Sequence, residues 1–421
     1  MNIQQHTKLT AFCADWQATK LPIEQTVLSQ AKEVLETLDF PTSRVENWKY
    51  TRVAKIANKS FVISDDATLH ALPKLPLTDA YNIVFVNGNY NANLSSQVFE
   101  NGLTVQLIEN ASDAKAHIGQ AVNLEKNVFA ALNTVYATSG AYIKIDAKKV
   151  VEKPIQLVFV STGNQHVANI RNVVVAEKFA QARISQVFVT DNATECFANV
   201  VSEYFLEDSS NITVDKIQNE NETAFQVGLD YCKQPQNAMF TLNTITLSGA
   251  LVRNDVFVDV NGENATTNLA GAYILKDNQH VDNHTRINHF TPHCNSHEKY
   301  KGVINDKATA VFNGMVYVHP HAQKIDSYQS NGNVLLSDTA TIYSKPELEI
   351  YADDVKCSHG STTGQLDEEA IYYLRARGIS KDSARALMVS AFIGDVLESL
   401  DSEEIVDYVH AVLEERFGWV F

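Results

Sequence analysis

Short segments of β type follow one another from about residue 80 to residue 362, and they restrict the fold more than any other feature. Each runs for four to eight residues, is rich in Val, Ile and Thr, and is bounded by Gly, Asn or Asp, as strands are. Almost no long helical pattern separates them, and 127–138 is the main candidate for a helical insert. Folds that alternate strands with helices are therefore disfavoured, and a mainly β architecture is predicted.

The spacing of the segments distinguishes between two kinds of β fold, a stacked repeat and an antiparallel sandwich. From residue 268 onwards, similar units begin roughly 13 to 16 residues apart, as in stacked repeats that bury one continuous core. An antiparallel sandwich would show turn signals every ~8 to 12 residues. We therefore favour a β-helix, or flattened solenoid, over residues 79–364.

Residues 1–78 are predicted to form an N-terminal helical region that ends in a linker. Apolar residues recur every three to four positions from Ile23 to Leu38, which is the period of an amphipathic helix. Pro41 is expected to end this helix. The Pro-rich stretch 71–77 is typical of a linker.

Residues 365–421 are predicted to form a C-terminal helical region. Gly378 is suited to end its first helix in a left-handed conformation. Three residues are suited to cap the starts of its helices: Asp367, Ser380 and Ser402. One expected role of this region is to cover the exposed strand edges at the end of the stack, and a helical cap can also dock a partner.

Composition excludes several classes of protein. The formal net charge of −16 argues against a nucleic-acid-binding surface, which needs clustered Lys and Arg. No apolar run approaches the ~18 to 20 residues that cross a bilayer, and no secretory signal is visible. An odd number of scattered cysteines fits a reducing cytoplasm better than a disulfide framework: Cys13, Cys196, Cys232, Cys294 and Cys357.

The stretch YADDVKCSHG contains the first candidate site. On a strand, Cys357 and His359 would project from the same face, as two metal ligands, as a nucleophile and its base, or as ordinary packed and surface residues. Asp353 and Asp354 could orient the imidazole or stay solvated. A metal site needs more than two ligands, unless a second chain supplies them.

The stretch HFTPHCNSH contains a second candidate, a metal site with four potential ligands: His289, His293, Cys294 and His297. Alternate residues of a strand point to opposite faces, however, and Pro292 interrupts a regular strand. A structural or incidental placement of these side chains is therefore favoured over a metal site.

Three stretches resemble the SufB/SufD family, the paired subunits of the SUF iron–sulfur cluster assembly scaffold. They are SRVENWKYTRVAKI near the N-terminus, AVFNGMVYVHPHAQKIDSYQSNGNVLLSDTA over 310–340, and SKPELEIYADDVKCSHGSTTGQLDEEAIYYLRARGIS over 344–380. The resemblance spans most of the chain and is most specific from about residue 309 to 380. The block DDVKCSHG is similar to the SufD branch, because the SufB branch typically carries a different block there.

The resemblance implies a right-handed parallel β-helix between N- and C-terminal helical regions. It implies a SufB-like partner at the C-terminal end of the β-helix and a SufC-like ATPase on the C-terminal helices. Cys357 and His359 would lie at the interface with the SufB-like subunit, where His359 is a candidate metal ligand opposite a partner cysteine. The isolated chain could also form a homodimer.

The implied function is a non-catalytic cytoplasmic scaffold. No cofactor is expected to bind the chain alone, whereas a transient iron–sulfur cluster or iron is expected in the complex. Two alternatives remain open at this point. One is a β-helix adaptor that only docks the ATPase, and the other is a β-helix enzyme acting on acidic polysaccharide, which the missing secretory signal weakens.

Overall fold

The computed structural model describes residues 7–125 and 127–419. Within these residues, two largely parallel sheets of ten strands face one another and form a β-solenoid of about eight turns. Sheet A contains β1 (Val62–Ile63), β4 (Leu103–Leu107), β5 (Ala141–Ile145), β7 (His166–Ala176), β9 (Phe197–Leu206), β11 (Phe225–Gln234), β13 (Leu251–Val260), β15 (His280–His289), β17 (Thr309–Val318) and β19 (Thr341–Ile350).

Sheet B contains β2 (Tyr81–Val86), β3 (Asn89–Tyr90), β6 (Ile155–Asn164), β8 (Gln181–Thr194), β10 (Asn211–Asn219), β12 (Met239–Ser248), β14 (Thr266–Leu275), β16 (Asn295–Ile304), β18 (Asp326–Leu335) and β20 (Lys356–Gly364). From β5 onwards the chain passes from one sheet to the other after each strand, so each strand pairs with the strand two places along. The predicted mainly β fold and its stacked parallel strands are confirmed.

Each predicted repeat unit is one strand, or half a turn of the solenoid. A full turn takes about 30 residues, because His280 pairs with Thr309 and Asp326 pairs with Lys356. The strand-like runs in the sequence do not include β9 or β11. Both strands direct polar or small residues into the interior, among them Ser202, Gln226 and Asp230.

The helices lie before, within and after the strands: α1 (Lys8–Phe12), α2 (Gln25–Thr37), α3 (Ala54–Ala57), α4 (Val128–Tyr136), α5 (Glu368–Ala376), α6 (Lys381–Leu397) and α7 (Glu403–Phe417). The expected helical insert is α4. All three predicted capping side chains accept backbone N–H groups: Asp367, Ser380 and Ser402. Gly378 is left-handed, with φ of +92°. No helix in the described ranges is both long and apolar enough to cross a bilayer.

The predicted end of α2 at Pro41 is wrong. The helix ends at Thr37, and Leu38 is already extended. This exit lets the Asp39 carboxylate accept hydrogen bonds from the backbone N–H groups of Lys8 and Leu9, at 3.3 and 3.0 Å. A carboxylate at a helix N-terminus satisfies donors that have no partner within the helix. The segment that follows α2 is therefore tied to the start of α1.

The Pro-rich stretch 71–77 packs against the sheet. Leu72 and Leu75 contact a group of valines on the outer face of sheet B. The Leu77 N–H donates to the side chain of Gln156 at 3.3 Å, and Gln156 donates back to the Leu77 carbonyl at 3.3 Å. This segment is therefore part of the packed structure.

Helices cover the outer face of each sheet. α1, α2 and α4 pack on sheet A around Phe129, Phe197 and Phe225, while α6 and α7 pack on sheet B around Ile245 and Ile393. The expectation that the C-terminal helices cap the stack is wrong, because they lie along its side. Instead, antiparallel strands close the N-terminal end, where β3 pairs with β2 and β4 with β5. Among the strands that the structure describes, β19 and β20 each pair with a neighbour on one side only.

A buried ion pair fixes α4 and the segment before it to sheet A. Glu203 accepts hydrogen bonds from Arg171 at 2.6 Å and from the backbone N–H groups of Gly119 and Ala121 at 2.7 and 2.9 Å. Arg171 also donates to Asn133 of α4 at 3.2 Å. Both charged side chains are at most 1% exposed, so their charges depend on these partners for compensation.

Replacing Arg171 with Met is expected to lower the free energy of unfolding by about 3–5 kcal/mol, because it leaves the Glu203 carboxylate buried without its counter-ion. Urea unfolding followed by circular dichroism measures this change. Lys178→Met is the matched control, because the Lys178–Asp208 pair is exposed, and such pairs contribute at most about 1 kcal/mol. Equal losses in the two variants would contradict a structural role for the buried pair.

Candidate functional site

The candidate site lies on β20, the last strand of sheet B. β20 pairs with β18 and has no described neighbour on its other side, and all but one of its residues are exposed. Parallel pairing in register aligns each of its side chains with one on β18 below. Because strand side chains alternate between faces, Cys357, His359 and Ser361 face the solenoid interior, as the sequence predicts for the first two.

A hydrogen-bonded column lies under Cys357. Cys357 is in register with Ser327, which is in register with Ser296 one turn below. The Ser296 hydroxyl donates to Ser327 at 2.8 Å, and its oxygen lies 3.0 Å from His289 Nε2. Burial lowers the pKa of His289 to about 4. The base of this column is therefore a neutral imidazole at physiological pH.

A second column lies under His359. His359 is in register with Gln329, which is in register with Glu298. The Gln329 side-chain amide donates to Glu298 at 2.7 Å, and Thr285 of sheet A donates to the other Glu298 oxygen. Burial raises the pKa of Glu298 to about 7.

A third set of polar side chains joins the two sheets at the open end. Ser344 of β19 donates to Asn331 at 2.7 Å and lies 2.7 Å from the Ser361 hydroxyl of β20. Asn333 also donates to Asn331 at 2.7 Å. These contacts hold the terminal strands of the two sheets together beneath an exposed surface.

Cys357 is the most accessible cysteine of the chain, since the other four are buried. Partial burial raises the pKa of its thiol, and the nearby Asp326 carboxylate raises it further. Activated cysteine nucleophiles need the opposite shift. The direction of this pKa shift therefore argues against Cys357 as an activated nucleophile.

The aspartates before β20 do not orient His359. Asp354 forms an ion pair with Lys324, and its backbone N–H donates to Gln323 at 2.8 Å. Asp353 is exposed in the same turn. Of the two alternatives, the solvated and ion-paired one describes these residues.

The second candidate set is dispersed by the fold. His289 is inside the solenoid, and His293 lies in a left-handed turn with φ of +62°. The buried Cys294 thiol contacts the Gly262 carbonyl at 3.3 Å, while His297 stacks on Tyr328 outside, with ring centroids 5.8 Å apart. Across residues 7–125 and 127–419, no three His, Cys, Asp or Glu side chains are grouped so as to hold a metal ion.

Four residues of the two sheet B columns were not singled out from the sequence: Ser296, Glu298, Ser327 and Gln329. Their signal is the spacing of about 30 residues that relates Glu298 to Gln329 and Gln329 to His359. The sequence shows the half-turn rhythm but not which residues align.

The aromatic residues of the N-terminal motif lie against sheet A. Trp48 stacks on Arg253, whose guanidinium carbon is 3.8 Å from the ring centroid, and Arg253 donates to the Asn47 carbonyl at 2.8 Å. Tyr50 stacks on Tyr343 of β19 at 4.0 Å. The motif therefore braces the last strand of sheet A beside the open end.

Comparison with known proteins gives consistent matches over nearly the whole chain. Residues 159–392 match the family described as SUF system FeS cluster assembly, SufBD core domain, and residues 12–157 match the SufBD protein N-terminal region. The iron–sulfur cluster assembly protein SufD of Escherichia coli is 31% identical over 92% of both chains.

Two other relatives extend the likeness to distant bacteria. An iron–sulfur cluster assembly SufBD family protein of Synechocystis is 30% identical over 88% of this chain and 86% of its own. The iron–sulfur cluster assembly protein SufD of Bacillus subtilis is 24% identical over 92% of each.

Alkylation of the native chain is expected to modify Cys357 first, because the other four thiols are buried. The rate of Cys357 alkylation should continue to rise as the pH passes the ordinary thiol pKa of about 8.5, since burial raises the pKa of this thiol. Mass spectrometry after iodoacetamide treatment from pH 7 to 10 measures both properties, with Cys357→Ser as the control. A rate that levels off below pH ~8 would show an activated thiolate instead.

Proposed function

The chain belongs to the SufB/SufD family of iron–sulfur cluster assembly proteins and resembles the SufD branch of that family, and we propose that it is a non-catalytic scaffold subunit. In this proposal it pairs with a SufB-like subunit through the open end of the solenoid. Cys357 and His359 then help to hold a nascent cluster or iron between the two chains. The observation that carries the proposal is the placement of both side chains on β20, the exposed terminal strand of sheet B.

The open end has the properties of a docking surface for another β-sheet protein. The outer edges of β19 and β20 have no described strand partner, and such edges pair readily with a further strand. Exposed apolar side chains surround the edge of sheet A: Tyr343, Ile350 and Tyr351. A SufB-like solenoid end could extend both sheets while burying these side chains.

Two ligands from this chain are too few to hold a cluster. Iron–sulfur clusters are bound by thiolates, with imidazole in place of some of them. We infer that the SufB-like partner supplies the remaining ligands, including a cysteine opposite His359. The cluster is the cargo of the complex, and an imidazole ligand, which can be released by protonation, suits transfer to an acceptor.

The C-terminal helices offer a separate surface for a SufC-like ATPase. Tyr372 and Tyr373 of α5 are 74% and 58% exposed, and Leu387 of α6 is 41% exposed. Arg377 covers one face of the Tyr373 ring at 3.6 Å. Large exposed aromatic residues next to an Arg are typical of interface hot spots. Docking here would leave the open end of the solenoid free for the SufB-like subunit.

Replacing His359 with Ala is expected to leave the three-subunit complex intact but to lower its cluster content at least about tenfold, because a ligand is lost. The measurement is co-expression with the SufB-like and SufC-like proteins of the same organism, purification, anaerobic reconstitution and visible absorption per complex.

Ser358→Ala is the matched control, because Ser358 lies on the same strand but points to the opposite face. Tyr373→Asp should have a complementary effect, releasing the ATPase while the pair of solenoids persists. Equal cluster content in His359→Ala and wild type would reject the assembly site and favour an adaptor that only docks the ATPase.

A further inference from the structure

Gln329 lies directly below His359 with an unused hydrogen-bond acceptor. The two residues are in register on neighbouring strands and face the same side. Gln329 is 3% exposed, and its Oε1 is buried with no hydrogen-bond partner. An unsatisfied buried carbonyl is costly, so its retention beneath an imidazole calls for an explanation.

Glu298 fixes the direction of the Gln329 amide. The Gln329 Nε2 group donates to Glu298 at 2.7 Å. Because Glu298 lies one turn below, this N–H bond points away from β20. The opposite end of the same amide is Oε1. With Glu298 ionised as the acceptor, this contact identifies the free end of the Gln329 amide as the carbonyl oxygen, which can only accept a hydrogen bond.

The opposing sheet leaves space for this amide. Gly314 of β17 faces the interior, and a Cβ added there would collide with the Gln329 amide. No left-handed backbone requires glycine at this position, since Gly314 is absent from the positive-φ residues described. The packing around Gly314 thus depends on the position of Gln329.

We propose that Gln329 is a positioning residue for His359. The hydrogen bond is not made in the conformation described, and the exposed His359 side chain forms it by rotating so that its ring N–H donates to Gln329 Oε1. A neutral imidazole has one N–H and one free nitrogen, so this hydrogen bond selects the tautomer and leaves the other nitrogen available to a soft metal ion. Histidine ligands in metal sites almost always donate their second ring nitrogen to such an acceptor. The proposal rests on the proposed function, which makes His359 a ligand.

The test is to replace Gln329 with Met, which preserves size and removes the acceptor. In the full-length isolated chain labelled with ¹⁵N-histidine, NMR shifts report which His359 nitrogen carries the proton, with His359→Ala assigning the signals. Wild type should show one dominant tautomer. Gln329→Met should shift His359 towards the mixture found in unstructured peptides. In the complex, the same variant should lower cluster content about 10- to 100-fold, as for other second-layer partners of metal ligands.

Two further variants distinguish an effect of Gln329 on the His359 ring from a general effect on folding. Gln226→Met is the matched control, because Gln226 is also a fully buried inward-facing amide, on β11, and neither of its polar side-chain atoms has a partner. Gly314→Ala changes no hydrogen-bonding group but displaces the Gln329 amide, so it should alter the His359 tautomer in the same direction. Circular dichroism and thermal unfolding establish that each variant is folded.

The outcomes distinguish this inference from the proposed function. An unchanged His359 tautomer in folded Gln329→Met and Gly314→Ala overturns the positioning role, whatever the cluster assay shows. A changed tautomer supports it even if His359→Ala retains full cluster content, in which case the assembly-site proposal alone fails. A tautomer change in Gln226→Met as well would overturn the inference, because the effect would not be specific to Gln329.

Discussion

In-register stacking of parallel strands is the constraint on which the rest of this structure depends. Each residue of the solenoid lies about 30 positions from the residues above and below it, so the side chains of successive turns form columns along the axis. Some interior columns are hydrogen-bonded, such as Ser327 and Ser296, and His289 of the opposing sheet contacts Ser296. The register therefore decides which side chains lie beneath Cys357 and His359 on the last strand.

The two ends of the solenoid differ in structure, and this difference supports the proposed site at the C-terminal end. Antiparallel strands close the N-terminal end, while helical regions cover the outer faces of both sheets. Only the C-terminal end combines free strand edges, exposed aromatic side chains and the Cys357–His359 pair among the residues described. The N-terminal motif also reaches this end through Tyr50 and Tyr343. A single surface thus combines the proposed docking edges with the candidate metal site.

Much of the fold is predictable from local sequence patterns. The strand rhythm predicts the solenoid, the capping residues Asp367 and Ser402 predict helix starts, and the i, i+2 spacing places Cys357 and His359 on one face. β9 and β11 are missed because their inward positions include buried polar residues such as Gln226 and Asp230. The supporting residues Gln329 and Glu298 are missed because register depends on turn lengths and long-range pairing, which a single sequence does not display.

Hydrogen exchange of β20 in the free chain and in the complex with the SufB-like subunit tests the central claim most directly. If the open end is the docking surface, the free-edge amides of Lys356–Gly364 should exchange rapidly in the isolated chain and become protected in the complex. Protection should extend to β19 and should be unaffected by removing the ATPase. Unchanged exchange in β20, with protection elsewhere on the chain, would contradict docking at this end and separate Cys357 and His359 from the interface.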